Sequence, residues 1–224
     1  YNEKKGNECM FNFFVDDSKK VENKYFITDN DYNHIVNVLR MNIGDIFLVS
    51  NNDKSDLCKI ESIDNQTVVA VITEENYQNT ELPVKIYLFQ GLPKGDKMEM
   101  IIQKTVELGV DTIVPVEMNR CVVKLDDKKK KSKQSRWQSI AESAAKQSKR
   151  NHIPTVYDVL SYKNALDVAS KLDLLIVPYE NKDGMIATKN VLDKLSNVKT
   201  VGIIIGSEGG FEDNEIALAK EIGG

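Results

Sequence analysis

Two different rhythms of apolar and polar positions divide the chain. Up to about residue 73, short β-branched and aromatic runs such as FNFFV, KYFIT and TVVAVIT are separated by Asn, Asp and Gly turns. Strands spaced this closely predict a small β-barrel, interrupted by one helix that ends at Leu39. From residue 84 onward, apolar runs alternate with segments whose apolar residues recur every three or four positions. This alternation predicts an α/β domain with a mostly parallel sheet and helices on both faces.

A polar stretch at residues 74–82, followed by Pro83, separates the two rhythms. We therefore expect a barrel domain at residues 10–76 and an α/β domain at residues 83–224. Asp96 and Glu99 predict a capping box at the start of the first helix of this domain. The predicted strands of the α/β domain lie at 84–90, 111–116, 154–160, 172–180 and 201–205, and its helices at 97–108, 133–149, 161–172, 186–195 and 212–222.

The most informative stretch is TVGIIIGSEGGFE, residues 200–212. A continuous apolar strand ends in a bend with three glycines (Gly206, Gly209 and Gly210), and a helix with acids at its start follows. Such a bend at the carboxyl edge of an α/β sheet indicates a ligand-binding crevice. It is neither the dinucleotide fingerprint nor a phosphate loop. Glu208 within it favours a cationic or hydroxyl-bearing ligand, while an ordinary tight connection remains the alternative.

Charge is distributed unevenly along the chain. The net charge is −4, yet residues 119–152 hold eleven basic and three acidic residues, a local net charge of +8. A positive patch on an acidic protein is a candidate phosphate-binding surface. For the KKKKSK run taken alone, a solvated loop is the simpler interpretation.

Several classes of protein are disfavoured by composition. Three widely separated cysteines and two histidines favour neither a disulfide framework nor a metal site. No apolar run approaches the roughly 20 residues needed to cross a bilayer, and the first nine residues lack the apolar core of a signal peptide. We expect a cytoplasmic protein without a metal.

Several motifs together resemble one family. GLPKGDKMEMIIQKTVELGV, RWQSIAESAAKQSKR and IIGSEGGFEDNE are similar, in this order, to motifs of the bacterial 16S ribosomal RNA uracil-N3 methyltransferases. MFNFFVDD and HIVNVLRMNIGD resemble the start of that family, which favours Met10 as the initiator. The family usually has proline where this chain has Ser207, and we expect its final strand and helix to lie outside these 224 residues.

The resemblance implies a SPOUT-type knotted α/β domain that binds S-adenosylmethionine, usually as a homodimer, preceded by a PUA-like RNA-binding barrel. The implied partner is 16S ribosomal RNA or the small ribosomal subunit. The implied reaction methylates N3 of a uracil, which must lose its proton.

Candidate site residues follow from the motifs. Glu208 is a candidate to accept that proton or to orient the base, or else it is a turn carboxylate that binds local N–H groups. Arg120 is a candidate to hold a phosphate or the charge that develops on a uracil oxygen, with a surface ion pair as the alternative. The predicted cofactor lining is Val177, Pro178, Gly206, Gly209, Gly210 and Phe211, and the predicted RNA contacts are Arg40, Lys94, Lys97, Gln147 and Arg150.

Two other functions remain open. One is a non-catalytic RNA-binding protein of the same architecture, and the other is a methyltransferase that acts on a different RNA atom, such as a ribose 2′-hydroxyl.

Overall fold

A computed structural model of the chain describes residues 10–51, 54–179 and 195–224. Its residues form two compact units. One comprises the chain up to Glu81 together with Ala145–His152, and the other comprises Leu82–Ala144 with Ile153–Gly224. The return of Ala145–His152 to the first unit is not evident from the sequence.

The first unit is built on a six-stranded sheet. Its order is β1-β4-β5-β6-β3-β2, and every pair is antiparallel except β1 with β4. Two register shifts between β5 and β6 interrupt the ladder, and such bulges bend a sheet. The six strands are β1 (Asn12–Phe14), β2 (Lys20–Val21), β3 (Lys24–Ile27), β4 (Ile46–Asn51), β5 (Lys54–Asp64) and β6 (Thr67–Glu74).

A buried apolar cluster that includes Phe13, Phe47 and Ile60 fills this sheet. The helix that interrupts the strands, α1 (Asp29–Asn33), continues as a π-helical turn at His34–Val38. The N–H of Leu39 donates to the carbonyl of His34, a five-residue step. The wider step rotates the following residues, so Ile35 and Val38 do not share a buried face. Ile35 is fully buried, whereas Val38 is 62% exposed.

The second unit contains a sheet whose described strands are all parallel, in the order β10-β8-β7-β12-β11, with β9 also paired to β8. Its strands are β7 (Lys85–Gly91), β8 (Thr112–Glu117), β9 (Thr155–Val156), β10 (Leu160–Ser161), β11 (Leu174–Ile176) and β12 (Thr200–Ile205). The single strand predicted at 154–160 is therefore two short ones. The strand predicted at 172–180 is only three residues long.

Among the described residues, four α-helices accompany this sheet: α2 (Lys97–Glu107), α3 (Asp127–Gln147), α4 (Tyr162–Ala169) and α5 (Asp213–Glu221). The predicted start of α3 at residue 133 is wrong, since the lysine-rich run is already helical. Asp96 makes no capping bond through its side chain, whereas Gly109 has a φ of +102°, as expected of a glycine just past a helix end. Most of the helix predicted at 186–195 lies outside the described residues.

β7 lies between β8 and β12, and the three strands are parallel. The connections that follow them therefore start side by side at one edge of the sheet. These connections begin after Gly91, Glu117 and Ile205. Ligands bind at this edge in open α/β sheets.

Candidate active site

The bend after β12 is too tight for side chains at its base. The N–H of Gly210 donates to the carbonyl of Ser207 at 2.8 Å, and these two residues form an isolated bridge. A Cβ atom added to Gly206 would lie 3.1–3.2 Å from the backbone of Gly210. Gly210 itself has a φ of +70°, which favours glycine. The predicted glycine bend is thus a compact loop with its backbone at the sheet edge.

The end of β7 packs directly against this bend. A Cβ atom on Gly91 would lie 2.7 Å from the amide nitrogen of Ser207 and 2.9 Å from the sulfur of Met118. The side-chain amide of Gln90 donates to the carbonyls of Gly91 at 3.0 Å and Gly206 at 3.4 Å. These contacts hold the two neighbouring strand ends at backbone distance.

Glu208 joins the bend to the turn that precedes α2. Its carboxylate accepts the N–H of Lys94 at 3.1 and 3.3 Å and the ammonium of Lys97 at 2.8 Å. The hydrogen bond from Lys97, and then the backbone N–H groups of Glu208 and Lys94, lower the pKa of this exposed carboxyl to about 2. A carboxylate with so low a pKa is a weak proton acceptor at neutral pH. Of the roles considered for Glu208, the geometry favours the turn carboxylate.

Arg120 follows β8 and lies over the same bend. Its Nη1 donates to the carbonyl of Gly209 at 3.0 Å. A Cβ atom on Gly209 would lie 2.9 Å from the Cβ of Arg120, so the approach of these two residues requires glycine. Within the described part of the chain, the exposed guanidinium forms no ion pair, and its remaining N–H groups can bind a substrate.

Glu215, which no sequence motif indicates, connects the loop of Arg120 to the start of α5. Its side chain is buried, with 1% exposure. It accepts the N–H of Asn119 at 2.9 Å and the N–H of Glu212 at 2.9 Å, the second as part of a capping box. The hydroxyl of Tyr162 donates to the backbone carbonyl of Glu215 at 2.8 Å.

The remaining residues of the predicted cofactor lining lie beside the bend. Val177 and Pro178 directly follow β11, which pairs with β12. Phe211 is buried, and its ring meets the ring of the half-exposed Tyr179 edge to face at a centroid distance of 6.4 Å. This apolar surface next to bare backbone suits an adenosyl group, whose faces are apolar and whose edges form hydrogen bonds.

The predicted RNA contacts differ in exposure. Arg40, Lys94 and Gln147 are exposed, and Lys97 is exposed but paired with Glu208. Arg150 is buried, with 3% exposure, and its guanidinium is paired with Glu81 in the first unit. Because a buried, paired guanidinium is not presented to solvent, we withdraw Arg150 from the predicted RNA contacts.

The part of the chain covered by the structure has no group of three or more His, Cys, Asp or Glu side chains that could hold a metal ion. In the same residues, no helix has the length and apolar character needed to span a membrane.

Residues 80–224 match the RNA methyltransferase domain family, and residues 27–73 match the RNA methyltransferase PUA domain family. The chain belongs to the RNA methyltransferase family.

Named relatives narrow this family membership. The ribosomal RNA small subunit methyltransferase E of Bacillus subtilis is 41% identical over 88% of this chain and 78% of its own length. The protein of the same name in Mesomycoplasma hyopneumoniae is 33% identical over 96% of this chain and 88% of its own length. This chain is also similar to the crystal structure of a ribosomal RNA small subunit methyltransferase E from Neisseria gonorrhoeae bound to S-adenosylmethionine. The alignment covers 96% of this chain and 86% of the other, with 28% sequence identity and a TM-score of 0.72.

The predicted fold class of this RNA methyltransferase is confirmed. A SPOUT-type, mostly parallel α/β unit follows a curled, mostly antiparallel PUA-like sheet. The knot implied by the resemblance stays a prediction.

Proposed function

We propose that this RNA methyltransferase transfers a methyl group from S-adenosylmethionine to N3 of a specific uridine in the 16S RNA of the small ribosomal subunit. The observation that carries the proposal is the glycine bend at the carboxyl edge of a parallel sheet. Gly91 packs against the backbone of this bend, Arg120 donates to the carbonyl of Gly209, and Glu208 of the bend accepts the N–H of Lys94. The names of the relatives support the ribosomal substrate.

The residues present fit the methyl donor. Gly206, Gly209 and Gly210 offer backbone groups to a ligand. A Cβ atom at Gly206 or Gly209 would lie too close to neighbouring atoms. Together with Val177, Pro178 and Phe211 they would hold the adenosyl group. When bound, S-adenosylmethionine supplies an electrophilic methyl group on a sulfonium sulfur.

Methylation would form a bond from uracil N3 to the methyl carbon as the bond from that carbon to the sulfonium sulfur breaks, and the proton of N3 would pass to solvent. The protein's task is to favour the ring that has lost this proton. Arg120 keeps N–H groups that can donate to a uracil oxygen on which negative charge develops. Glu208 fixes the bend rather than accepting the proton. The hydrogen bonds from Lys97 and from the N–H of Lys94 lower its pKa, which makes its carboxylate a weak base.

RNA would be positioned by exposed polar side chains in both units. Arg40 and Gln147 belong to the first unit, and Lys94 and Lys97 to the second. Contacts of this kind set the position of the RNA and make binding depend on salt, without reading sequence. The target uracil must leave its stack to present N3. We further propose a homodimer, following the resemblance, and a cytoplasmic location, where ribosomal RNA is found.

Mapping of the modified nucleotide tests the proposal. Small subunits from a strain that lacks this gene are incubated with the protein and labelled S-adenosylmethionine, and the RNA is digested and analysed by mass spectrometry. We expect one methyl group on one uracil base, at N3. A ribose methyl would identify a methyltransferase for the 2′-hydroxyl. RNA binding without any calorimetric signal for S-adenosylmethionine would identify a non-catalytic binder.

A further inference from the structure

The lysine-rich run at residues 128–131 is part of a helix. It forms the first turn of α3, which begins at Asp127. Between Lys124 and Ser139 the chain carries seven cations and two acids, a net charge of +5. A helix fixes the spacing of these charges, which a solvated loop would not.

Ion pairs neutralise only some of the cations. Lys129 lies 3.2 Å from Asp126, and Lys130 lies 2.8 Å from Glu117. Arg136 lies 2.7 Å from Glu99. Lys128 and Lys131 are exposed and have no ion-pair partner among the residues that the structure describes. We call these two residues the α3 lysine pair.

The α3 lysine pair lies on the exposed face of α3. Residues three apart on a helix share a face, so the two ammonium groups extend from the same side. One turn further on the same face are Ser135 and Ser139, whose hydroxyls donate to helix carbonyls four residues back at 3.1 Å each. Trp137, Ala141 and Ala144 lie on the opposite, buried face. Short side chains after the lysines leave room for a long polyanion along this face.

Fold stability does not explain the α3 lysine pair. Like charges three residues apart destabilise a helix by about 0.2–0.5 kcal/mol, and cations are unfavourable near its positive amino end. That end is already capped by Asp126, whose carboxylate accepts the N–H of Lys129 at 2.8 Å. An anion that binds here would therefore contact the lysine side chains rather than the capped end of the helix. Its negative charge would offset the repulsion between the two ammonium groups.

We propose that Lys128 and Lys131 bind the phosphate backbone of the substrate RNA. The inference rests on the proposed function for the identity of the polyanion. Because the whole chain has a net charge of −4, an RNA is repelled unless a local positive surface attracts it. Lysine contacts to phosphates would add affinity without sequence preference, and each would release counterions.

The test is the salt dependence of RNA binding by the double variant Lys128→Ala/Lys131→Ala. Affinity of the full chain for a 16S ribosomal RNA transcript is measured by fluorescence anisotropy over a range of salt concentrations. In a plot of the logarithm of the association constant against the logarithm of the salt concentration, the magnitude of the negative slope should fall by about 1.4–1.8. Binding near 0.1 M salt should weaken by about 10- to 50-fold. Binding of S-adenosylmethionine should stay unchanged, since neither residue contacts the glycine bend, and the melting temperature should stay the same or rise slightly, because the repulsion between the two lysines is removed.

The matched control is Lys163→Ala/Lys171→Ala, which removes the same charge from exposed positions in and just after α4. Equal losses of slope in both double variants, or no loss in the α3 variant, would overturn the inference. So would an α3 variant that loses affinity only for phosphatidylserine vesicles. The S-adenosylmethionine titration separates the two proposals, since a silent titration with a changed RNA slope contradicts the proposed function alone.

Discussion

The ammonium of Lys97 lies 2.8 Å from the carboxylate of Glu208, at the amino end of α2 and in the glycine bend respectively. The two residues are 111 positions apart in the chain. With the N–H of Lys94, this ion pair connects two of the three loops at the sheet edge. The geometry of the bend therefore depends on a charge, which makes it sensitive to acid.

Glu208→Gln should lower the melting temperature at neutral pH and have no effect in strong acid. The pKa of Glu208 in the folded protein, about 2, is below the usual glutamate value of 4.5. Its contribution to stability is thus complete above pH 4.5 and is lost as the pH falls toward 2. Melting of both proteins at a series of pH values measures this. Glu221→Gln, an exposed change in α5, is the control. A melting difference that persists unchanged down to pH 2 would rule out the ion pair as its cause.

Arg120→Ala should reduce kcat by about 10²- to 10³-fold, the usual effect of removing one donor to a developing negative charge. Arg120→Lys should restore only part of this, because an ammonium lacks the planar donor set of guanidinium. Single-turnover methylation and calorimetric titration with S-adenosylmethionine separate the two steps. If the variant keeps its rate and loses only cofactor affinity, Arg120 acts solely through its bond to Gly209.

Gly91→Ala should destabilise the protein by about 1–3 kcal/mol, since the added methyl overpacks the contact between β7 and the bend. We also expect weaker binding of S-adenosylmethionine, because the backbone of Ser207 must move. Urea unfolding and calorimetry measure the two effects. Gly95→Ala is the control. Its added Cβ meets nothing within 4 Å, and its φ of +63° costs about 1–2 kcal/mol through backbone strain. Cofactor binding that stays normal in Gly91→Ala would contradict the proposed cofactor site.

Glu215→Gln should cost about 1–3 kcal/mol in the free energy of unfolding. An amide has one acceptor oxygen, so its NH₂ group would face one of the two N–H donors that the carboxylate now accepts. Denaturant unfolding, compared with Glu221→Gln on the exposed side of the same helix, measures the loss. Equal stability of the two variants would show that the buried carboxylate does not hold the Asn119 loop.

Arg150→Met should lower the free energy of unfolding by about 3–5 kcal/mol, because it leaves the carboxylate of Glu81, which is only 15% exposed, without its guanidinium partner. The salt dependence of RNA binding should not change. Unfolding and anisotropy measured on the same preparation test both statements. A reduced salt slope at normal stability would restore Arg150 as an RNA contact.

The sequence predicted the parts of the fold that depend on local patterns. The run from Val201 to Ile205, the glycines after it and the acids before α5 all act within a few residues of one another. Their strand, bend and helix lie where expected. The start of α3 was missed because a lysine run resembles a solvated loop, although Asp126 provides a capping signal.

Contacts between distant residues could not be predicted. Glu215 binds the N–H of Asn119, 96 positions earlier, and Arg150 pairs with Glu81, 69 positions earlier. Nothing near Arg150 in the chain distinguishes it from an exposed cation in a basic stretch. The sequence does not decide the role of Glu208 either, because Lys94 and Lys97 approach it only in the folded sheet.

The position of β12 in the sheet determines when the second unit can fold during translation. This strand pairs on one side with β7, which is made about 115 residues earlier, and on the other side with β11. Pairings of such high sequence separation are slow to form. Until Ile205 has left the ribosome, the nascent chain presents β7 with one edge unpaired and exposed to aggregation.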